Sequence, residues 1–429
     1  MDRIELSTAK RFKGTFSPTP DKSISHRSLI FSSLAKGKSC IKNFLRADDP
    51  MSTLTALRAL GVDIDDSGED IIVNGRGIHG LKEPHDVIHC GNSGTTMRLL
   101  AGVLSGNPFL SVLTGDKSLR TRPMGRIILP LQEMGARIWA RDENKYPPLA
   151  IKGGALRSFT YTLPVASAQV KSALLLAGLY AAGETEIIEP AHSRDHTERM
   201  LPAFGSDITV DGLRVMIKSG TELKGTDVEV PGDFSSAAFF LTGALLIHNA
   251  DVTMTGVGMN PTRTGLISAL QDMGATCDIL NERIVSGEPV ADIRCQGGKA
   301  LRAIDITREQ IPSLIDEFPI LCVAATQAEG TTTIRGAEEL RVKESDRIKS
   351  VATELKKLGA EIEEFEDGLS IRGKSTLTGT HVESYGDHRI AMSLSIAGLI
   401  AEGITTVHGI SSVNISFPGF YTLLRRLTS

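Results

Sequence analysis

The sequence predicts an α/β fold made of six copies of one unit, arranged as two domains of three units each. Two observations predict it. Amphipathic segments that end in glycine and continue into a short strand recur at a spacing of roughly seventy residues. A nearly all-apolar segment precedes each of them, and a helix that is apolar on every side is buried on every side. Each unit therefore consists of strand, buried helix, strand, amphipathic helix, strand, turn and strand.

Glycine marks the ends of the amphipathic helices. The chain has 42 glycines in 429 residues, above the usual share of ~7%. Five of them stand where a helix meets a strand, at Gly61, Gly135, Gly205, Gly274 and Gly359. Glycine adopts the left-handed conformation of a helix C-terminus without a steric penalty. We therefore expect positive φ at these positions.

The sixth unit ends the chain before its last strands. The alternating segment RIELSTA (Arg3–Ala9) near the N-terminus is available to complete its sheet. This predicts a discontinuous domain of residues 1–12 and 230–429, closed by the N-terminal strand. Residues 13–229 form the inserted domain.

Composition excludes several classes of function. The 47 Lys and Arg residues against 51 Asp and Glu leave a net charge of −4, which argues against a nucleic-acid partner. No run approaches the ~18 apolar residues of a membrane span, and the charged N-terminal residues do not resemble a signal peptide. The cysteines lack paired spacing, so we expect reduced thiols in the cytoplasm. They are Cys40, Cys90, Cys277, Cys295 and Cys322.

Several buried helices begin with cations. Lys22 and Arg27 follow a cap at Asp21, and His388 and Arg389 follow Asp387. The helix dipole disfavours a cation at this end, whereas the free N–H groups there bind anions. An anionic ligand explains the pattern better than capping alone. The fourth unit shows no accompanying cation, so we expect plain N-caps at Asp233, Ser235 and Ser236.

Two charged connections follow strands, at 116–125 and 340–347. The second is expected to open an amphipathic helix with Lys343 and Arg347 one turn apart. A solvated, salt-bridged helix start is the alternative. Together with the cationic helix N-termini, these connections favour a site for ligands with several negative charges.

These segments together resemble the EPSP synthase family of enolpyruvyl transferases. The matching stretches run in order along the whole chain. They are DKSISHR (21–27), GNSGTTMRLLAG (91–102), RPMGR (122–126), SAQVKSALLLAGL (167–179), RDHTE (194–198), NPTRTG (260–265), IDEFPI (315–320), LRVKESDR (340–347) and DHRIAM (387–392). The resemblance implies a two-domain inside-out α/β barrel of six βαβαββ-type repeats, three per domain, with helices inside and sheets outside.

The resemblance also implies an activity in the shikimate pathway, namely transfer of the enolpyruvyl group of phosphoenolpyruvate to the 5-hydroxyl of shikimate 3-phosphate. It further implies that the protein is a target of glyphosate. It assigns phosphoenolpyruvate binding to Lys22, Gly94, Arg122, Gln169, Arg347 and Arg389. It assigns shikimate 3-phosphate binding to Lys22, Ser23, Arg27, Ser167, Gln169, Arg194, Asp316 and Lys343.

The implied chemistry is addition and elimination, which needs a base at the hydroxyl and an acid at the methylene carbon. Asp316 is the expected base and Glu344 the expected proton donor, with Lys22 and His388 assisting. No metal or organic cofactor is expected. The partners are the two small molecules, with no nucleic acid or membrane, and the chain is expected to be a cytoplasmic monomer.

Three departures from the family pattern stand at Pro20, Ala168 and Ser411. The sister transferase that acts on UDP-N-acetylglucosamine is the nearest alternative, but its usual cysteine is missing from Thr114 to Arg122. A nucleic-acid end-processing enzyme and a non-catalytic anion-binding scaffold are further alternatives. The GxGxxG match at 75–80 is not followed by a helix pattern, so it does not predict a dinucleotide site.

Overall fold

A computed structural model describes residues 2–429 as a mixed α/β protein. The strands are β1 (Arg3–Ser7), β2 (Lys13–Phe16), β3 (Lys36–Lys42), β4 (Asp63–Asp65), β5 (Ile71–Arg76), β6 (Ile88–His89), β7 (Leu110–Thr114), β8 (Arg137–Ala140), β9 (Tyr146–Lys152), β10 (Leu156–Arg157), β11 (Thr160–Thr162), β12 (Ala181–Ala182), β13 (Glu184–Ile188), β14 (Ile208–Asp211), β15 (Arg214–Lys218), β16 (Val228–Glu229), β17 (Asp251–Gly258), β18 (Cys277–Val285), β19 (Glu288–Gln296), β20 (Asp305–Ile306), β21 (Thr331–Ile334), β22 (Glu361–Phe365), β23 (Gly368–Arg372), β24 (His381–Glu383) and β25 (Ile404–His408).

The helices are α1 (Lys22–Leu34), α2 (Asp48–Ala59), α3 (Gly94–Ser105), α4 (Gly125–Glu133), α5 (Arg141–Asn144), α6 (Ala168–Gly178), α7 (His196–Met200), α8 (Phe234–Leu246), α9 (Gly265–Asp272), α10 (Ile311–Leu314), α11 (Phe318–Gln327), α12 (Arg347–Lys357), α13 (His388–Ile400) and α14 (Phe420–Thr428). Short 3-10 helices lie at Leu119–Thr121, Leu201–Phe204, Glu338–Val342 and Ile410–Ile415. Along residues 2–429, every helix is too short or too polar to cross a membrane.

The chain divides into two compact units, each with its own apolar core. The first unit comprises the chain up to Thr19 together with Pro231–Ile284 and Pro289–Ser429. The second unit comprises Pro20–Val230 and the four residues Val285–Glu288.

The sequence predicted the first boundary after residue 12, but the boundary falls after Thr19. The reason is β2, which pairs in parallel with β17 so that Lys13 lies opposite Asp251. In the second unit, β16 pairs in parallel with β3, with Val228 opposite Ile41. The strand that precedes α1 therefore belongs to the first unit, and the strand that precedes α8 belongs to the second.

Within residues 2–429, five four-stranded sheets share one order. A parallel strand lies at one edge, and an antiparallel ladder follows it in which the last two strands exchange their sequence order. These sheets are β16-β3-β5-β4, β6-β7-β9-β8 and β11-β13-β15-β14 in the second unit, and β2-β17-β19-β18 and β20-β21-β23-β22 in the first. In the remaining sheet of the first unit, β24 pairs in parallel with β25, and the N-terminal strand β1 pairs antiparallel with β25.

The helices predicted to be buried are buried along most of their length, namely α1, α3, α6, α8, α11 and α13. In the first unit, α8, α11 and α13 pack against one another, and in the second unit α3 packs against α6. The prediction of left-handed glycines is also confirmed. The φ angles are 83° at Gly61, 108° at Gly135, 87° at Gly205, 93° at Gly274 and 100° at Gly359.

The expectation of five reduced cysteines is wrong for two of them. Cys277 and Cys295 form a disulfide between the neighbouring strands β18 and β19, where their Cα atoms lie 4.6 Å apart. Strand pairing brings them together, and their separation of 18 residues gives no local signal. Cys40, Cys90 and Cys322 are free thiols.

A second group of glycines has a packing role that the sequence did not suggest. Each stands at the end of a central strand, against the carbonyl end of a buried helix. A Cβ atom there would lie 2.1 Å from the Ser32 oxygen at Gly75, 2.1 Å from the Asn107 oxygen at Gly153, 2.0 Å from the Ile247 oxygen at Gly297 and 1.7 Å from the Ala328 oxygen at Gly373. Only glycine permits this approach of strand to helix.

Gly153→Ala is therefore expected to lower the free energy of unfolding of the second unit by about 2 kcal/mol. The matched control is Gly154→Ala, because a Cβ atom at Gly154 meets nothing within 4 Å. Thermal unfolding should shift down by about 4–8 °C for Gly153→Ala and hardly at all for Gly154→Ala. Equal melting temperatures for the two variants would contradict the packing account.

Candidate active site

In the first unit, one buried arginine holds three carboxylates. The Arg347 side chain is 1% exposed. Its Nη1 lies 3.2 Å from Asp316 Oδ1, its Nη2 2.7 Å from Glu344 Oε2, and its Nε 2.9 Å from Asp387 Oδ2. We call these four residues the Arg347 cluster. Burial alone would lower the pKa of Arg347, but the three carboxylates outweigh it and raise that pKa above its ordinary range.

Helix caps position the cluster. Asp346 caps α12 by accepting a hydrogen bond from the Lys349 N–H at 3.0 Å, so Arg347 is the first residue of that helix. Asp387 caps α13 by accepting the Arg389 N–H at 2.9 Å. Burial would raise the pKa of Asp387, but Arg347 outweighs it and lowers that pKa. One carboxylate therefore caps a helix and holds the guanidinium.

The sequence predicted that Lys343 and Arg347 lie on one helix, but Lys343 lies outside it. Residues Glu338–Val342 form a 3-10 helix instead, and Lys343 follows it, before α12 begins. Burial lowers the pKa of Lys343, Arg347 adds to this effect, and the Asp316 carboxylate opposes it. An ammonium in such surroundings gains from an additional anion.

Asp316 is shared by two guanidinium groups. Besides Arg347, it contacts Arg389, whose Nη2 lies 3.2 Å from Asp316 Oδ2. Arg389 Nη1 also donates to the Asp316 backbone oxygen at 3.2 Å. His388, the first residue of α13, is 1% exposed beside Asp387. Arg347 and its carboxylate partners therefore bring together five sequence-predicted residues: Asp316, Lys343, Glu344, His388 and Arg389.

A cation accompanies the cap of α8, contrary to the sequence-based expectation. Asp233 caps the helix as predicted by accepting the Ser235 N–H at 2.7 Å, whereas Ser235 and Ser236, also expected to be caps, lie inside α8. Arg263 Nη2 lies 3.0 Å from Asp233 Oδ1 and donates to Ser235 Oγ at 2.7 Å. Arg263 comes from the NPTRTG segment, thirty residues further along, so local sequence around the cap did not reveal it.

In the second unit, the start of α1 carries two cations with different partners. Lys22 Nζ lies 2.9 Å from Asp49 Oδ2. Arg27 is 2% exposed and donates to Thr197 Oγ1 at 2.8 Å and to Ser172 Oγ at 2.7 Å. Burial lowers the pKa of Arg27 to about 10, which keeps it charged at neutral pH.

Arg27 links several predicted residues. Its Nη1 donates to the Ser23 backbone oxygen at 3.1 Å. Arg194 lies close enough to act on the Arg27 pKa. Ser172 lies on α6, which Ser167 caps, and Thr197 lies on α7, shortly after Arg194. Arg27 therefore ties the start of α1 to the segments that carry Ser167 and Arg194.

The start of α3 is lined by two guanidinium groups. A Cβ atom at Gly94 would lie 2.7 Å from Arg98 Nη1 and 3.5 Å from Arg122 Nη1. Arg98 Nη1 also donates to Gln169 Oε1 at 2.6 Å. Arg122 donates to Asn92 Oδ1 at 2.6 Å. Gly94, Arg122 and Gln169 were predicted as neighbours in one site, and Arg98 joins them.

Arg98 was missed, although the sequence contained a signal for it. It follows Gly94 by four residues on the same helix, and residues at that spacing lie on one face.

Ser167 caps α6 by accepting the Val170 N–H at 3.5 Å, two residues before Gln169. Within residues 2–429, the His, Cys, Asp and Glu side chains form no group of three that could hold a metal ion.

Comparison with known proteins gives one family. The profile described as EPSP synthase (3-phosphoshikimate 1-carboxyvinyltransferase) matches residues 6–424. The 3-phosphoshikimate 1-carboxyvinyltransferase of Thermodesulfovibrio yellowstonii is 56% identical over 429 residues, covering 100% of both chains. That of Syntrophomonas wolfei is 55% identical over 99% of both chains. The solved structure of EPSP synthase from Acinetobacter baumannii has a TM-score of 0.88 at 48% identity, covering 99% of this chain and 98% of that one.

Arg347→Met is expected to lower the free energy of unfolding by about 3–5 kcal/mol, because it removes the guanidinium that compensates the fully buried Asp387 carboxylate. The control is Arg372→Met in the same unit, whose side chain is 73% exposed and has Glu361 at 3.5 Å. That control should lose less than about 1 kcal/mol. Urea unfolding measures both values.

The same comparison has a pH dependence. The lowered pKa of Asp387 means that its stabilising contribution is present above its unfolded value, near pH 4, and is lost as the pH falls through the folded pKa. The difference between the wild type and Arg347→Met should therefore shrink below about pH 4. A difference that stays constant down to pH 2 would contradict the account.

Proposed function

Because the chain belongs to the EPSP synthase family, we propose that it transfers the enolpyruvyl group of phosphoenolpyruvate to the 5-hydroxyl of shikimate 3-phosphate, releasing phosphate. The geometry adds one supporting observation. Asp316 and Glu344, the two groups that must exchange protons, both contact the guanidinium of Arg347. Cys90 is the cysteine nearest in sequence to the loop where the sister transferase carries its thiol. It is buried, and burial raises its pKa to about 12. The activity of the sister transferase is therefore not favoured.

The two substrates each carry a phosphate and a carboxylate, so binding needs several cations. We assign phosphoenolpyruvate to Lys22, Gly94, Arg122, Gln169, Arg347 and Arg389. We assign shikimate 3-phosphate to Lys22, Ser23, Arg27, Ser167, Gln169, Arg194, Asp316 and Lys343. Arg98 is added as a neighbour of Gly94 and Gln169. Its guanidinium leaves no room for a larger residue at Gly94 unless it moves.

The reaction proceeds by addition and then elimination. Asp316 accepts the proton of the 5-hydroxyl as its oxygen bonds to C2 of phosphoenolpyruvate, and Glu344 donates a proton to the methylene carbon. In the second half, the methyl carbon returns a proton to Glu344, the C–O bond electrons leave with the phosphate, and Asp316 passes its proton to the departing phosphate. Lys22 and His388 assist these proton movements. Two contacts with guanidinium groups favour the ionised Asp316 that a base must be.

Glu344 must carry a proton to act as an acid, whereas its contact with Arg347 at 2.7 Å favours the charged form. Binding resolves this conflict. A substrate anion that bonds to Arg347 weakens its hold on Glu344 and brings a second negative charge beside that carboxylate. Both effects favour the neutral carboxyl group that a proton donor must be.

The finer architecture is part of the same proposal. We propose that each unit contains three βαβαββ-type repeats with helices inside and sheets outside, and the shared order of the five four-stranded sheets supports this. The chain acts as a cytoplasmic monomer on small molecules. The disulfide removes the cysteine argument for a cytoplasmic location, which therefore depends on the biosynthetic activity.

Asp316→Ala and Glu344→Gln are each expected to lower kcat by about 10²–10⁴-fold, because each removes one proton-transfer group. Glu338→Gln is the control, a surface carboxylate paired with Arg308. Circular dichroism verifies that all three variants are folded. Turnover close to the wild-type value in both active-site variants would refute the assigned roles.

Phosphate release tests the substrates themselves. The wild type with phosphoenolpyruvate is expected to release phosphate when shikimate 3-phosphate is added and not when UDP-N-acetylglucosamine is added. The discriminating group is the acceptor, since the donor is the same in both reactions. Phosphate release with UDP-N-acetylglucosamine and not with shikimate 3-phosphate would assign the chain to the alternative activity.

A further inference from the structure

The first unit contains a buried carboxylate that the proposed chemistry does not use. Glu354 lies on α12 and is 0% exposed. It accepts a hydrogen bond from Tyr385 Oη at 2.5 Å and from the Glu383 N–H at 2.9 Å. Lys357 Nζ donates to both of its oxygens, at 2.9 and 2.8 Å. A buried carboxylate with this many donors is fixed in position.

One of these donors, Tyr385, belongs to the turn at residues 384–387, and another, Glu383, directly precedes that turn at the end of β24. Tyr385 has φ of +56° and Gly386 has φ of +71°. A residue with a large side chain rarely adopts positive φ, so other contacts must hold Tyr385 there. Its phenol is one such contact, and the hydrogen bond to Glu354 raises the pKa of Tyr385 to about 12, which keeps the hydroxyl a donor. Ser384 Oγ is another, because it accepts the Gly386 N–H at 3.2 Å.

The other end of the turn is held by the same helix. Arg347 Nε bonds to Asp387 Oδ2 at 2.9 Å. Arg347 and Glu354 are seven residues apart on α12, which is two turns or about 10.5 Å along one face. Helix α12 therefore contacts residues 383–387 at two points. Glu354 accepts from Glu383 and Tyr385, and Arg347 donates to Asp387.

The turn leads directly into proposed substrate-binding groups. Asp387 caps α13, so the position of the turn sets the position of His388 and Arg389. Arg389 in turn contacts the Asp316 carboxylate. Loss of the Glu354 contact frees one end of the turn, while Arg347 still holds the other. The expected consequence is a less ordered Arg389 rather than an unfolded helix.

We propose that Glu354 and Tyr385 are positioning residues for phosphoenolpyruvate binding, acting through the turn 384–387 on His388 and Arg389. The inference rests on the proposed role of Arg389. Neither residue is among those assigned to substrate binding or proton transfer. Tyr385 is 51% exposed, so its ring is not part of the core, and its hydroxyl contributes the contact that matters.

Tyr385→Phe removes this hydroxyl alone. It is expected to raise KM for phosphoenolpyruvate about three- to tenfold, the value of one hydrogen bond, and to leave KM for shikimate 3-phosphate within about twofold. Glu354→Gln should act in the same direction. Glu354→Gln keeps an amide oxygen that can still accept from Tyr385, so it weakens this contact rather than removing it.

The matched control is Tyr421→Phe. Tyr421 Oη lies 3.3 Å from Ser395 Oγ, which is also on α13 but two turns from its N-terminus. This variant should keep both KM values. If Glu354→Gln fails to fold, Tyr385→Phe and its control still decide the question, since the exposed ring is retained.

Hydrogen exchange separates this inference from the proposed activity. Amides of residues 384–389 should exchange faster in Tyr385→Phe than in Tyr421→Phe, whether or not the wild type transfers an enolpyruvyl group. An inactive wild type would refute the proposed function and with it the kinetic part of the inference. An active wild type, with unchanged exchange and an unchanged KM for phosphoenolpyruvate in Tyr385→Phe, would refute the positioning role. An equal rise in both KM values would also refute it, because it would indicate a general structural effect.

Discussion

The first unit depends on compensating the charge of one buried guanidinium. Removing Arg347 from water is unfavourable unless its hydrogen-bond donors meet acceptors of opposite charge. Asp316, Glu344 and Asp387 supply them, each from a different segment of the chain. Three segments that carry candidate active-site groups are thereby fixed by one side chain. The Arg347 cluster therefore fixes the position of the backbone as well as the charged groups of the candidate site.

Helix N-termini connect this constraint to binding. Asp387 both caps α13 and holds Arg347, and Asp21 caps α1 directly before Lys22. A capping carboxylate satisfies backbone N–H groups and stabilises a cation nearby, which offsets the repulsion that the helix dipole exerts on that cation. The protein can therefore keep cations at helix starts in the absence of substrate. An arriving phosphate or carboxylate then meets donors that are already oriented.

Local patterns allowed much of the fold to be predicted. The buried helices, the N-caps and the left-handed φ of Gly61 and its four counterparts depend on residues close together in sequence. The exchange of β2 and β16, the Cys277–Cys295 disulfide and the packing of Gly153 on a helix end do not. They arise from strand pairing or helix contacts between distant segments, and such pairings have no local signature. The same limit explains why Arg263 was missed at the cap of α8.

We infer that Arg347 stabilises the first unit through its contacts with three carboxylates rather than through apolar packing of its stem. A double-mutant cycle on urea unfolding tests this with Arg347→Met, Asp387→Asn and the double variant. The contact between Arg347 and Asp387 predicts a coupling free energy of at least about 1 kcal/mol, with the double variant more stable than the sum of the single losses implies. Strictly additive losses would show that the two side chains act independently and would contradict it.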